Sequence, residues 1–336
     1  MNIADHLVVA WYAPQLTMLT APLAPFSVVF RMTVALRRAL YRGGILRAER
    51  LPVPIVIVGN LTVGGSGKTP LTISLALALA ERGWRPGIVS GGYGGLARAP
   101  RAVEAGSTPA QVGDEPVLLR RTGLPVWVGR DRPAAARALL AAHRECDVLI
   151  ADDGLQHYAM ARTVEIAVVD AGRGLGNGFM LPAGPLREPA SRLDEVDAVV
   201  RLGGSPAARI SARESTMSLV GDSFVRVDAA AMVATAASFR MAGVHALAGI
   251  GNPGRFFEHL RSLGIGATCH AFPDHHRYTP ADLALPEATA ILMTEKDAVK
   301  CVTFADDRCW ALPVRAVIDA SLVTLIEEKL RGFQTA

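Results

Sequence analysis

The residues best placed to do chemistry lie in four groups. Gly64, Gly65, Ser66, Gly67, Lys68 and Thr69 follow a β-branched run, Val53–Val58. Asp152 and Asp153 end the apolar stretch Val148–Ala151, with Gln156 and His157 just beyond. Asp114 and Glu115 lie in the segment VGDEP, at the start of a short helical pattern. His275 and His276 stand beside Asp274 on the proline-flanked loop Phe272–Pro280, with His270 close by.

The first group has the chemistry of a phosphate cradle. Glycines let the backbone curl through positive φ, and backbone N–H groups at a helix start attract anions. Lys68 can reach the β/γ oxygens of a nucleotide, and the Thr69 hydroxyl can sit on Mg²⁺. The strict P-loop pattern asks for glycine at position 62, where this chain has Thr62. An apolar strand ending in acidic residues is the Walker B arrangement, which holds Mg²⁺. Asp152 and Asp153 are both metal candidates. They point to opposite faces if both stay extended, and the sequence leaves open which one touches the ion. Asp114 reads by itself as a helix N-cap. The histidine loop lacks the close third or fourth ligand that a metal site needs. A His–Asp partnership in acid–base chemistry, or a substrate contact, suits it better.

These groups need a scaffold of alternating strands and helices. The pattern predicts strands over Val53–Val58, Pro86–Ser90, Pro125–Gly129, Val148–Ala151, Thr163–Asp170 and Val196–Leu202. It predicts helices over Leu71–Glu81, Glu115–Arg121 and Asp131–Glu145. Such alternation implies an α/β fold, P-loop NTPase-like, with a mainly parallel sheet and flanking helices. The loops Gly91–Gly95 and Leu181–Pro189, the latter with Arg187 and Glu188, fall on the ligand-binding edge of such a sheet. Residues 216–242 read as a linker ribbon and 243–336 as a smaller second α/β domain. The first domain then spans 51–215, behind an N-terminal segment of residues 1–50.

Two further motifs fail closer reading. Gly249, Gly251 and Gly254, with Asp274 downstream, match a dinucleotide fingerprint in form. Asn252-Pro253 interrupts it, and a β-turn-α unit is the simpler reading. In Thr294–Asp297 a glutamate, Glu295, stands where a guanine-specifying motif needs lysine. Val63 likewise stands where deviant-Walker ATPases carry a lysine. The four cysteines, Cys146, Cys269, Cys301 and Cys309, show no C-x-x-C spacing, so zinc and dithiol chemistry are poor readings.

The chain has 336 residues, half of them hydrophobic, and a net charge of +4. Its arginines are dispersed and do not alternate with aromatics, so nucleic acid is not singled out as a partner. Residues 7–30 carry no Asp, Glu, Lys or Arg, and Arg31, Arg37, Arg38, Arg42, Arg47 and Arg50 follow. Pro14, Pro22 and Pro25 argue against one straight spanning helix. An apolar segment bordered by arginines fits the interface of an anionic leaflet. The plain alternative is a helix packed on the protein's own core.

Taken in order, GNLTVGGSGKTP, VGDEP, DDGLQH, LPAGPLREP, GNPGRFF, FPDHHRY and TEKDAVK closely resemble the tetraacyldisaccharide 4′-kinase family, the lipid A 4′-kinases of Gram-negative bacteria. The resemblance runs from about residue 10 to residue 325. It implies ATP- and Mg²⁺-dependent phosphorylation of the 4′-hydroxyl of an acylated glucosamine disaccharide 1-phosphate. It also implies a peripheral enzyme on the cytoplasmic leaflet of the inner membrane. By the resemblance, Lys68 and Thr69 are the phosphate lysine and the Mg²⁺ hydroxyl. Asp114 is the general base, partnered by His275 in preference to His276, which would support the site. Glu115, Asp152 and Asp153 surround the metal and phosphates, and Gln156, His157 and Glu188 support the site. The family usually has arginine where this chain has Gly91.

Overall fold

The computed structural model describes residues 3–204 and 213–333. Two helices come first, α1 (Ile3–Trp11) and α2 (Ala24–Arg42), separated by the proline-containing stretch read from the sequence. No helix among the described residues is long and apolar enough to cross a membrane.

The first sheet is built from β1 (Ile55–Gly59), β2 (Pro86–Ser90), β3 (Arg101–Ala102), β4 (Val126–Val128), β5 (Val148–Asp152), β6 (Val164–Asp170), β7 (Ala198–Leu202) and β8 (Glu214–Val220). Helices α3 (Lys68–Glu81), α4 (Pro109–Val112), α5 (Asp114–Arg120) and α6 (Arg132–Ala142) connect its strands. β1 is central, flanked by the later strands β5 and β6, and both pairings are parallel. The β1 residues Ile55, Val56, Ile57 and Val58 are buried on both faces, as the uninterrupted apolar run requires. Leu71, Leu75 and Leu79 of α3 pack on one face of the sheet. Leu139 of α6 packs on the other.

The second sheet is formed by β9 (Ser223–Arg226), β10 (Val233–Thr235), β11 (Val244–Ala248), β12 (Thr268–Ala271), β13 (Ala290–Thr294) and β14 (Cys309–Leu312). Its order is β10-β9-β14-β13-β11-β12, with parallel pairing from β14 to β12. Helices α7 (Pro253–Ser262) and α8 (Glu295–Cys301) belong to this unit.

Strand pairing crosses the boundaries expected from the sequence. The presumed ribbon, residues 216–242, is divided. β8 extends the first sheet in parallel with β7, whereas β9 and β10 pair antiparallel in the second. The end of that stretch holds a 3-10 turn, Ala236–Phe239. The C-terminal stretch returns to the first sheet. β15 (Arg315–Ile318) pairs antiparallel with β8, and α9 (Ala320–Arg331) buries Leu322, Val323, Ile326 and Leu330 in the same core as α3. The second sheet is therefore an insertion, and the chain crosses between the units twice.

Candidate active site

β1 delivers the chain to the P-loop and α3 takes it away. Gly64 and Gly67 adopt φ of 100° and 92°, the left-handed region open to glycine. Thr62, the break in the strict motif, needs no such freedom. It lies in a short antiparallel bridge with Leu186, and Val63 N–H donates to Pro185 O at 2.9 Å. The segment Leu181–Pro189 thus lines the outer wall of the loop, as its expected position required. Asn60 braces the turn from inside, donating to Gly64 O at 3.3 Å and accepting at its own carbonyl from Gln156 at 3.1 Å.

The two strand-end carboxylates do divide. Asp152 is fully buried under the cradle and accepts from Thr72 at 3.0 Å and from Thr69 at 3.4 Å. Burial, reinforced by the charge of Glu115, pushes its pKa up to about 7. Asp153 leaves the strand with φ of 49° and turns to the cations. Arg187 reaches it at 2.9 Å and Lys68 at 3.8 Å. Burial alone would raise Asp153, but Lys68 and Arg187 hold it far below the usual carboxylate range.

Asp114 is the first residue of α5. The N-cap is Gly113, so the carboxylate is free for other work. Its Oδ1 accepts the Glu115 N–H at 2.9 Å, and Oδ2 meets His275 Nδ1 at 3.0 Å. His275 has φ of 60°, a strained value for a non-glycine residue that turns its ring out of the second unit toward the first. Burial works against ionisation of both groups. Their mutual hydrogen bond and charges, joined by Lys296 for Asp114 and by Asp274 for His275, together overcome it, lowering Asp114 and raising His275. The Tyr93 ring lies 4.9 Å from the imidazole, which brings the Gly91–Gly95 loop to the dyad. Lys296, at the start of α8, bridges Glu115 at 3.0 Å and Asp274 at 3.4 Å.

The remaining expected residues are less central. His276 stacks on Phe272 and pairs with Asp282 at 3.4 Å, away from Asp114. His270 pairs with His245 at 2.9 Å. Glu188 is buried against Tyr158 and Arg192, at 2.7 and 3.3 Å. His157 is held neutral, its pKa lowered to about 4 by burial and then by Arg132. The glycine-rich turn after β11 makes no dinucleotide pocket. Gly251 instead lies against the P-loop backbone, where any side chain would overlap Gly65 N.

Sequence reasoning missed Asn60, Arg132 and Lys296. Arg132 is buried at the start of α6 and donates to Asp153 O. A Cβ on Gly91 would come within 3.0 Å of its Nη2. Its guanidinium therefore lies against the position where the family usually carries arginine. One signal was available. A cation at a helix N-terminus opposes the helix dipole and calls for nearby anions.

A cavity of about 660 Å³ opens over Gly65–Thr69 and runs past Leu118 and Val314. A second, of about 1090 Å³, opens on Asp114 and His275, with Tyr93, Arg120 and Arg277 in its wall.

Comparison with known proteins identifies the family of the chain. Residues 19–331 match the family described as LpxK: Tetraacyldisaccharide-1-P 4′-kinase. The chain belongs to the tetraacyldisaccharide 4′-kinase family. It is 52% identical to the tetraacyldisaccharide 4′-kinase of Azoarcus sp. strain BH72, over 92% of this chain and 91% of the relative. Identity to the enzyme of the same name from Dechloromonas aromatica is 53%, over 94% and 93%. The kinase fold is also that of LpxK from Aquifex aeolicus, solved in complex with ATP. That likeness has a TM-score of 0.75 and 30% identity, and covers 93% of this chain and all of the other.

Proposed function

We propose that the P-loop edge of the first sheet, together with the Asp114–His275 pair, forms the active centre of an ATP-dependent tetraacyldisaccharide 4′-kinase. The chain is a kinase of lipid A biosynthesis by family. The observation that carries the residue assignment is the 3.0 Å contact of Asp114 with His275, made from two different units of the chain. It places a carboxylate, oriented by an imidazole, next to Glu115, whose charge acts on Asp152 beneath the P-loop.

In this reading the triphosphate lies along Gly64–Thr69, with Lys68 on its β/γ oxygens and the base toward Leu118 and Val314. Thr69 and Asp152 would hold Mg²⁺. Their oxygens fit a hard cation, and burial together with the Glu115 charge raises Asp152 in spite of Lys68, so further positive charge there would offset both. Bound there, Mg²⁺ neutralises charge on the phosphates. Asp153 is committed to Lys68 and Arg187 and sets the lysine's position. Glu115 is balanced by Lys296 and serves in the outer electrostatics of the site. Asp114 accepts the proton of the 4′-hydroxyl while His275 fixes the carboxylate. The acceptor oxygen bonds to the γ-phosphorus as the bond to the β–γ bridging oxygen breaks, and ADP leaves.

The acceptor is acylated, and the N-terminal segment is suited to the leaflet that carries it. Phe26, Val29, Met32 and Leu36 of α2 are each more than 60% exposed on one face. Phe30 and Val34 pack against the core on the other. Such a face gains by entering the headgroup–acyl boundary, and the flanking arginines favour anionic lipid. We infer a peripheral seat on the cytoplasmic leaflet of the inner membrane.

The test is phosphoryl transfer from ATP, with Mg²⁺, to detergent-dispersed tetraacylated disaccharide 1-phosphate. The bis-phosphorylated lipid is the expected product. Failure to transfer in well-dispersed detergent, with turnover of a soluble sugar instead, would overturn the assignment.

A further inference from the structure

The outer side of the P-loop is held by residues to which the chemistry gives no part. The end of α1 is anchored on the loop after β6: Trp11 Nε1 donates to Pro182 O at 2.8 Å, and Trp11 O accepts from Asn177 N–H at 2.8 Å. The next residue, Tyr12, donates its hydroxyl hydrogen to Val63 O at 3.0 Å, on the entry side of the cradle. The Arg173 guanidinium lies 4.6 Å from the centre of the Tyr12 ring. The same guanidinium donates to Gly251 O, in the turn before α7. Gly251 in turn touches the Gly64–Gly65 backbone. Next to it, Asp170 receives Asn252 Nδ2 and Arg255 Nη1, each at 2.9 Å. Three parts of the chain thus meet on one face of the loop: the N-terminal segment, the β6 end and the inserted unit.

We propose that Tyr12 and Arg173 are positioning residues for the nucleotide site, coupling the seat of the N-terminal segment on a lipid surface to the shape of the P-loop. The inference rests on reading Gly64–Thr69 as the phosphate cradle. A glycine-rich loop has many conformations to lose when it closes on phosphate. Contacts that hold its outer side remove part of that cost before the nucleotide arrives. Tyr12 and Arg173 do so from outside, through Val63 O and Gly251. The lever arm is short: Trp11 is the last residue of the helix that begins the apolar segment, and Tyr12 directly follows it. A shift of that helix on a membrane therefore reaches the loop through one hydrogen bond and one cation–π contact. Burial pushes the Tyr12 phenol above its ordinary value, so it remains a hydrogen-bond donor at neutral pH.

The experiment compares full-length wild type, Tyr12→Phe, Arg173→Met, Arg173→Lys and Lys68→Ala. ATP affinity is measured in detergent-free buffer and on vesicles of phosphatidylethanolamine and phosphatidylglycerol. Wild type is expected to bind ATP more tightly on vesicles. In Arg173→Met the affinity falls roughly tenfold and the difference between vesicles and buffer disappears. KM for ATP rises in step, while KM for the lipid acceptor and kcat at saturating ATP stay near wild type. Arg173→Lys, which keeps a cation over the ring, recovers part of the affinity. Tyr12→Phe, which keeps the ring and loses one hydroxyl, shows a smaller loss in the same direction and serves if Arg173→Met does not fold. Wild-type ATP affinity in folded Arg173→Met, or in folded Tyr12→Phe where the former is lost, overturns the proposal. So does an unchanged vesicle effect. Lys68→Ala reports separately on the cradle: ATP binding by that variant as tight as wild type would remove the premise.

Discussion

Replacing Asp114 by asparagine separates a general base from a carboxylate that merely ends a helix. The side chain is 5% exposed, and asparagine keeps its shape and one acceptor oxygen for the Glu115 N–H. The lost charge is one of three near Lys296, which retains Glu115 at 3.0 Å and Asp274 at 3.4 Å. Stability should therefore fall by only ~1 kcal/mol, the size of one hydrogen bond. A general base contributes ~10²–10⁴ in rate, which corresponds to about 3–5 kcal/mol of barrier. The expected result is a fall in kcat of that order with ATP affinity nearly intact. The imidazole gives a second readout. Burial and Lys296 lower the His275 pKa, and the Asp114 contact together with the Asp274 charge more than restores it, to above the ordinary 6.5. The raised His275 therefore contributes its stability fully below that ordinary value and loses it as pH rises through the higher folded value, while the lowered Asp114 contributes above its ordinary 3.8 and loses it as pH falls through its lower folded value. In Asp114→Asn the lowering influences remain, so His275 should titrate at lower pH than in wild type, as read from its ring resonances. Wild-type turnover, with the loss confined to thermal stability, would refute the base assignment.

Other substitutions probe neighbouring positions. His275→Ala should reproduce most of the kcat loss of Asp114→Asn, whereas His276→Ala, which loses Asp282, the Phe272 stack and the edge contact with Tyr278, should cost ~1 kcal/mol of stability with turnover kept. Equal kinetic losses in steady-state assays would count against the geometry. Gly91→Arg should lower activity and melting temperature because its side chain meets Arg132, and Arg132→Ala in the same chain should recover part of both. Additive losses would show that the two positions do not share one space. Replacing Phe26, Val29 and Met32 together by serine should weaken sedimentation with anionic vesicles and leave the unfolding midpoint nearly unchanged, since these side chains are exposed. An unaltered vesicle affinity would mean that this face does not seat on lipid.

The first sheet was legible because its strands are buried on both sides and stop at residues with special work. Val56–Val58 runs into Gly59, and Ile150–Ala151 into Asp152. Strands with one solvated face carry no label for their partner. β8 and β9 are separated only by Gly221 and Asp222, yet enter different sheets, because β8 continues the parallel order beyond β7 while β9 pairs with β14. Nothing local in Arg315–Ile318 says that it returns to β8 rather than extending the second unit. Strand alternation anticipated different surroundings for Asp152 and Asp153, but they separate because Asp153 leaves the strand with φ of 49°, which alternation does not contain. The choice between His275 and His276 was not legible either, since it depends on a single left-handed residue.

Arg132 shows where reading by position falls short. The resemblance leads one to expect an arginine in the loop after the second strand, and this chain has Gly91 there. The structure puts a guanidinium beside that position from another element, the first turn of α6. Burial works against its charge, and Asp153 and Asp152 sustain it. The glycine and the arginine are complementary: a side chain at 91 would displace the cation, and without the cation the carbonyl of Asp153 would lose its donor. The contribution of Arg132 to the positive charge at this edge, beside Lys68 and Arg187, therefore depends on the pair of positions together. That is why Gly91 looks like a loss in the sequence and like an opening for Arg132 in the fold.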